Sequence, residues 1–196
     1  HGKLIEVPYT KNISSSSIKT NLINLITPPS RTSILNRLIH SKKIVRVIES
    51  HSPLSGLIIE NLKFESKKKI EQFDAMWSSS LTDSSIKGKP DNQSLDFSSR
   101  FSGLGDLMDV TTKPLIFDAD NGGRLEHIPF TVRTLERLGV SAIMMEDKIG
   151  LKKNSLFSDQ SGATQDTIKN FCKKIELIKK TRNSKDFLIG ARIESF

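Results

Sequence analysis

Apolar and polar positions change period repeatedly along the chain, and each change marks an element. From Thr32 the apolar residues Ile34, Leu35, Leu38 and Ile39 recur at helical spacing, and residues 44–48 then alternate apolar side chains around Arg46 with the period of two of a strand. A small-residue turn over 50–55 leads into a helix carrying Leu57, Ile58, Ile59 and Leu62. Further on, the pattern predicts a short strand at 73–77, a helix at 96–108 and an apolar strand at 114–117 that stops at Asp118. A helix follows at 126–138, with Gly139 placed as its C-cap, and then a strand at 141–145 ending at Glu146. Residues 164–180 form an amphipathic helix whose apolar face holds Ile168, Phe171, Cys172, Ile175, Leu177 and Ile178, which predicts a core position for Cys172. A fifth strand is predicted at 187–193.

Strands alternating with helices define an α/β chain with a parallel sheet, either open and doubly wound or closed as a (β/α)8 TIM-type barrel. The two differ in where polar chemistry falls, because a barrel gathers it at the C-terminal ends of several strands. Those ends here carry Glu49, residues 77–80, Asp118 with Asp120, Glu146 with Asp147, and Arg192 with Glu194. No Gly-rich GxGxxG turn follows the first strand, which weakens the open dinucleotide-binding alternative. The pattern therefore favours a partial (β/α)8 barrel of about five β/α units, where closure takes eight.

A length of 196 residues suits one domain. Residues 31–196 form the barrel portion, and residues 1–30, with Ser14 to Ser17 in a row and Pro28-Pro29, read as a linker or N-terminal arm. No apolar run approaches the roughly 18 residues that cross a bilayer. The single cysteine excludes a disulfide framework and a cysteine zinc cluster, and points to a reducing, cytoplasmic setting. The net charge of +8 is confined to residues 1–70, where 12 Lys and Arg face 4 Asp and Glu. That stretch includes Lys67, Lys68 and Lys69 but lacks interleaved aromatics, so a solvated linker is favoured over nucleic-acid contact, and a basic nucleic-acid-binding protein with an inactive barrel stands as a distant alternative. The chain starts at His1 and stops at Phe196 directly after a strand, as if cut from something longer. An unclosed barrel leaves edge strands unpaired, so this portion alone is expected to be poorly soluble or inactive.

Asp118-Ala119-Asp120, followed by Gly122-Gly123, puts two carboxylates at a strand end on one side of the sheet. Such hard oxygen donors suit Mg2+, although an Asx turn also explains them. Glu146-Asp147 at the next strand end would bring four carboxylates to one rim, and that concentration calls for a cation. Lys148 and Lys152 lie in a Gly-containing loop that could close over an anionic substrate, or could be a plain basic loop. Trp77 offers an aromatic wall or a core residue, and the small residues after it a nest of N–H groups for an anion. Arg192 could fork onto a carboxylate or phosphoryl group. His51 and His127 lack an acid partner at catalytic spacing and read as structural or surface groups.

With those residues assembled, the chain resembles the phosphoenolpyruvate mutase family of the isocitrate lyase superfamily. Residues 146–155 match the family's EDKxxxKxNS signature in full, and residues 77–81 with Asp91, residues 118–120 with their glycines, and residues 191–194 support the match across 31–196. The resemblance implies an isomerase that interconverts phosphoenolpyruvate and phosphonopyruvate with Mg2+, the C–P bond-forming step of phosphonate biosynthesis. It implies that Asp118 coordinates the metal, with Asp120, Glu146 and Asp91 holding its waters. Trp77 would wall the pyruvyl group, and Ser79 with the Ser80 and Leu81 amides would bind substrate oxygens. Arg192 and Asn154 would hold the migrating phosphoryl group, and Lys152 and Ser155 would act from the gating loop, so that Asp91, Lys152, Asn154, Ser155 and Arg192 form the catalytic set. The superfamily's lyases carry a KKCGH-type loop where this chain has Lys152-Lys153-Asn154-Ser155, which disfavours lyase chemistry. Phosphonopyruvate hydrolase differs around Asn154 and is the alternative function. Ser80 and Asn121 stand where other members can carry Gly and Thr. The resemblance further implies a homo-oligomer when full length, with a phosphoryl-binding His supplied beyond Phe196, and allows a fused nucleotidyltransferase domain upstream.

Overall fold

The computed structural model describes residues 28–66, 69–150, 152 and 164–194. In chain order its elements are α1 (Pro28–Ser41), β1 (Val47–Glu49), α2 (Pro53–Asn61), β2 (Phe64–Ser66), β3 (Lys69–Glu71), β4 (Ala75–Ser78), α3 (Ser80–Ile86) and α4 (Phe97–Asp109). There follow β5 (Leu115–Asp118), α5 (Ile128–Leu138), β6 (Ala142–Glu146), β7 (Lys148–Ile149), β8 (Thr164–Gln165), α6 (Ile168–Thr181) and β9 (Leu188–Arg192). Local chemistry explains several boundaries. Ser52 and Ser55 cap α2 reciprocally, Asp96 caps α4, and Gly139 closes α5 at φ 79°, packed so closely on Pro28 that a Cβ there would lie 3.1 Å from its Cα.

Strands β1, β4, β5, β6 and β9 form one parallel sheet in that order. The order never reverses. A doubly wound sheet reverses at its switch point, whereas a barrel wall runs on in sequence, so the five strands are successive strands of a TIM-type wall, with β1 and β9 at the edges of the described sheet.

Period-two alternation gives the wall two faces. Met76, Leu115, Phe117, Ile143 and Met145 face the helices, in a core with Ile59, Leu104, Leu107, Val132, Leu135, Phe171 and Ile178. The opposite, inner face packs Ala75, Ala142, Ile116 and Leu188 against Leu35 of α1. This helix lies across the N-terminal end of the wall. Thr32 Oγ1 donates to the Val140 carbonyl at 3.1 Å, Ser141 Oγ donates to the Arg31 carbonyl at 3.0 Å, and the Arg31 guanidinium donates to the carbonyls of Met108 (2.8 Å) and Thr111 (2.5 Å). On the same inner face Met144 lies opposite Gly190, and a Cβ at Gly190 would collide with the Met144 thioether, so the glycine makes room for it.

Four local expectations change. The helix predicted from 164 starts at Ile168, because Thr167 caps it and Thr164–Gln165 pairs antiparallel with β7. Cys172 is exposed instead of core, since Phe171, Lys174 and Ile178 set the buried stripe of α6 and Cys172 falls off it. The first strand covers only Val47–Glu49, and β4 is shifted to Ala75–Ser78. The antiparallel hairpin β2–β3 and the short helix α3 carry no clear periodic signal.

Candidate active site

The alternation that turns Ile116 inward also turns Asp118 inward, and the β6–β9 register sets Glu146 directly beside Arg192. The three charged ends meet above the inner face, where Asp118, Asp120 and Glu146 are 5%, 4% and 2% exposed. Asp118 Oδ1 accepts the Asp120 N–H at 3.1 Å, and its Oδ2 accepts the Ser80 hydroxyl at 3.1 Å. Asp120 itself adopts the left-handed conformation, φ 50°, to turn the chain back after β5. Lys152 reaches in from the loop after β7. Its Nζ donates to Ser80 Oγ (2.5 Å), Asp120 Oδ1 (2.5 Å) and Asp91 Oδ1 (2.8 Å). Arg192 pairs with Glu146 and with Glu194, and approaches Asp118 Oδ2 to 4.0 Å.

Burial pushes the Asp120 carboxyl above its ordinary value, and the neighbouring Asp118 charge adds to this against the pull of Lys152. Burial likewise raises Glu146, against the pull of Arg192. For Lys152 burial works to lower the pKa, but Asp120 and Asp91 outweigh it and hold the ammonium charged. The anions are thus undercompensated. Asp91, Asp118, Asp120, Glu146 and Glu194 face three cations, Lys148, Lys152 and Arg192.

Most of the residues singled out from the sequence come together here, with some changes of role. Asp91, Ser80, Asp118, Asp120, Glu146, Lys152 and Arg192 are in mutual contact or linked through one partner. Trp77 is half-buried at the end of β4, level with Ile116. Ser78 ends β4 and residues 80–81 open α3: Ser79 caps that helix by accepting the Thr82 N–H, and the Ser80 N–H faces Asp118 Oδ2 at 3.5 Å. Leu81 is half-buried within α3. Asp147 does not join the rim carboxylates. Its Oδ1 accepts the Glu194 N–H (2.8 Å) and its Oδ2 the Gln165 amide (2.7 Å). Burial opposes ionisation of Asp147, but these bonds win and hold its carboxyl below the ordinary value. Lys148 pairs with Glu194 at 3.1 Å, and His51 and His127 are exposed. Asn154 and Ser155 lie outside the described residues. The sequence reading missed Arg100, which donates to the Asp118 and Ser78 carbonyls; a basic residue one turn before Leu104, on the buried face of α4, was the available signal.

The donor set fits Mg2+. Hard, buried carboxylates with a deficit of positive charge suit a small dication, and Mg2+ binds through one or two carboxylates while keeping several waters. Among the described residues no group of three or more His, Cys, Asp or Glu side chains stands close enough to hold a metal ion.

A sequentially ordered parallel wall with charged residues at its C-terminal strand ends defines part of a TIM-type barrel. Residues 35–196 match the family model described as phosphoenolpyruvate phosphomutase, and the chain belongs to that family. It is 28% identical to a phosphoenolpyruvate phosphomutase of Tetrahymena pyriformis over 180 residues, 91% of this chain and 57% of the relative. A crystal structure of phosphoenolpyruvate phosphomutase from Streptomyces platensis subsp. rosaceus superposes with a TM-score of 0.74 at 28% identity, covering 84% of this chain and 54% of that one. A phosphonopyruvate hydrolase solved with oxalate and Mg2+ shares the fold, with a TM-score of 0.70 at 24% identity over 87% of this chain and 53% of that one. The chain thus spans a little over half the length of the relatives it matches. Among the described residues no helix is long and apolar enough to cross a membrane.

Proposed function

We propose that this chain carries the metal- and substrate-binding rim of a phosphoenolpyruvate mutase, which interconverts phosphoenolpyruvate and phosphonopyruvate with Mg2+. The observation that carries the reading is the convergence of Asp118, Asp120, Glu146, Lys152 and Arg192 at adjacent strand ends. Asp118 would hold the metal, with Asp120, Glu146 and Asp91 binding its waters. Bound Mg2+ would draw charge from the substrate's oxygens. Trp77 would then wall the pyruvyl group, Ser79 and the amides of Ser80 and Leu81 would orient its oxygens, and Arg192 with Asn154 would hold the phosphoryl group in flight. Lys152 and Ser155 would close over the site and exclude water, which otherwise intercepts a loose, metaphosphate-like group. No nucleophilic side chain is required. Positioning and charge stabilisation supply the rate.

The intact enzyme is further proposed to be a homo-oligomer in the cytoplasm, with the part of residues 1–30 that precedes α1 as an arm that could follow an upstream nucleotidyltransferase domain. The decisive assay is phosphorus NMR of the intact protein with Mg2+ and phosphonopyruvate. A phosphoenolpyruvate resonance establishes the mutase, whereas inorganic phosphate and pyruvate without it establish a hydrolase and remove the assigned role of Asn154.

A further inference from the structure

We infer that Arg100 is a positioning residue for this site, acting through the main chain of the two strand ends on which the site is built. The inference rests on the reading of Asp118 as the group that holds the metal. Arg100 projects from α4 behind the sheet and is 5% exposed. Its Nε donates to Asp83 Oδ2 at 2.8 Å, one terminal nitrogen donates to the Asp118 carbonyl at 2.6 Å, and the other lies 3.3 Å from both the carbonyl and the hydroxyl of Ser78. The Ser78 hydroxyl in turn donates to Asp83 Oδ2 at 2.9 Å, which closes a ring of polar contacts. The guanidinium stacks 4.1 Å from the centroid of Phe117.

The placement matters because the β4–β5 register ends at Ser78 and Phe117, one residue before Asp118. Past that point the strand-to-strand ladder no longer sets the distance between the two chain ends. Arg100 takes over as the cross-link, tying the Asp118 carbonyl to Ser78 from below while Ser80 holds the Asp118 carboxylate from above. A planar fork with fixed donor directions can span two carbonyls and one carboxylate at once, which a lysine ammonium cannot. Asp83 supplies the anion that makes burying the guanidinium tolerable.

The test measures Mn2+ affinity by electron paramagnetic resonance on the intact protein, alongside kcat and KM for phosphonopyruvate. R100K and R100M are expected to weaken Mn2+ binding about 10- to 100-fold, as loss of an outer support of a metal ligand does, and to lower kcat much more than they raise KM. D83N, which keeps the fork but removes its anion, should give a smaller loss of the same sign. It also serves as the readout if R100M fails to fold. Lys113→Met is the matched control, because its Nζ donates to the Phe73 carbonyl at 2.8 Å, in the segments leading into β4 and β5. That variant should lower the melting temperature yet leave Mn2+ affinity within about twofold. Native Mn2+ affinity in R100K, or an equal loss in Lys113→Met, overturns the inference. Asp118→Asn separates the two levels. If it abolishes Mn2+ binding while R100K leaves Mn2+ affinity at its native value, Arg100 has no positioning role; if it binds Mn2+ normally, the site reading falls and takes the inference with it.

Discussion

At both ends of the parallel wall a buried arginine binds main-chain carbonyls, but the two ends are finished in opposite ways. At the N-terminal end Arg31 donates to Met108 and Thr111, and α1 seals the inner face with Leu35 against Ala75 and Ala142. At the C-terminal end Arg100 holds the Ser78 and Asp118 carbonyls, and above it carboxylates outnumber the cations paired with them. One end is completed by packing. The other keeps a surplus of buried negative charge, and in barrels of this type the first end supplies stability and the second carries the chemistry.

Substitutions can break this contrast, beginning with the largest effect. Asp118→Ala should remove metal-dependent turnover, by at least about 100-fold, while the thermal melt shows the fold retained; unchanged activity would refute the assigned ligand. Leu35→Ala should do the reverse. It should cost about 2–5 kcal/mol in a urea melt, with kcat per folded molecule unchanged, because the cavity opens at the sealed end.

Acid should sharpen the difference, each pKa unit between folded and unfolded chains being worth about 1.4 kcal/mol. Near the sealed end burial works to raise the Asp74 carboxyl, but the Arg46 N–H and Lys42 outweigh it and hold it below the ordinary 3.8. Its stabilisation is present above 3.8 and is lost as pH falls through the lower folded value. Asp120 and Glu146 behave oppositely. Their folded pKa values are raised above 3.8 and 4.5, so their contribution is full below those values and is lost as pH rises through the folded ones. Urea melts of the metal-free protein across the acid range should show a flatter acid arm in Asp74→Asn, and in Asp120→Asn the loss of a gain made on acidification. The smallest effect is expected from Cys172→Ser, within about 0.5 kcal/mol by thermal melt, because the thiol is exposed.

The alternating architecture was readable because three successive strands of the wall are apolar runs closed by a charged residue: 114–117 by Asp118, 141–145 by Glu146, and the last by Arg192 with Glu194. Pairing of neighbouring strands then leaves little freedom in where those ends go. Features that depend on a single side chain's direction were not readable. Asp147 follows Glu146 and has the same chemistry, but period-two geometry sends it away from the rim to the Glu194 N–H and Gln165. Cys172 sits beside Phe171 in an apolar run, and the 100° step between helix neighbours puts it outside. Arg100 acts by a long-range bond to main chain, which no local pattern encodes. The pairing of Lys152 with Asp91 spans 61 positions, and family resemblance, not spacing, brought those two residues into view.

The left-handed turn at Asp120 narrows what evolution or an engineer can place there. That backbone admits Gly, Asn and Asp readily and penalises longer side chains, while the rim calls for a negative charge to meet Lys152. Conformation and charge together leave aspartate alone among the twenty residues. The usual ranking of conservative changes is inverted as a result. Asp120→Glu keeps the charge but strains the turn, whereas Asp120→Asn keeps the turn and removes only the charge, so the amide is the cleaner probe and the glutamate the more disruptive substitution.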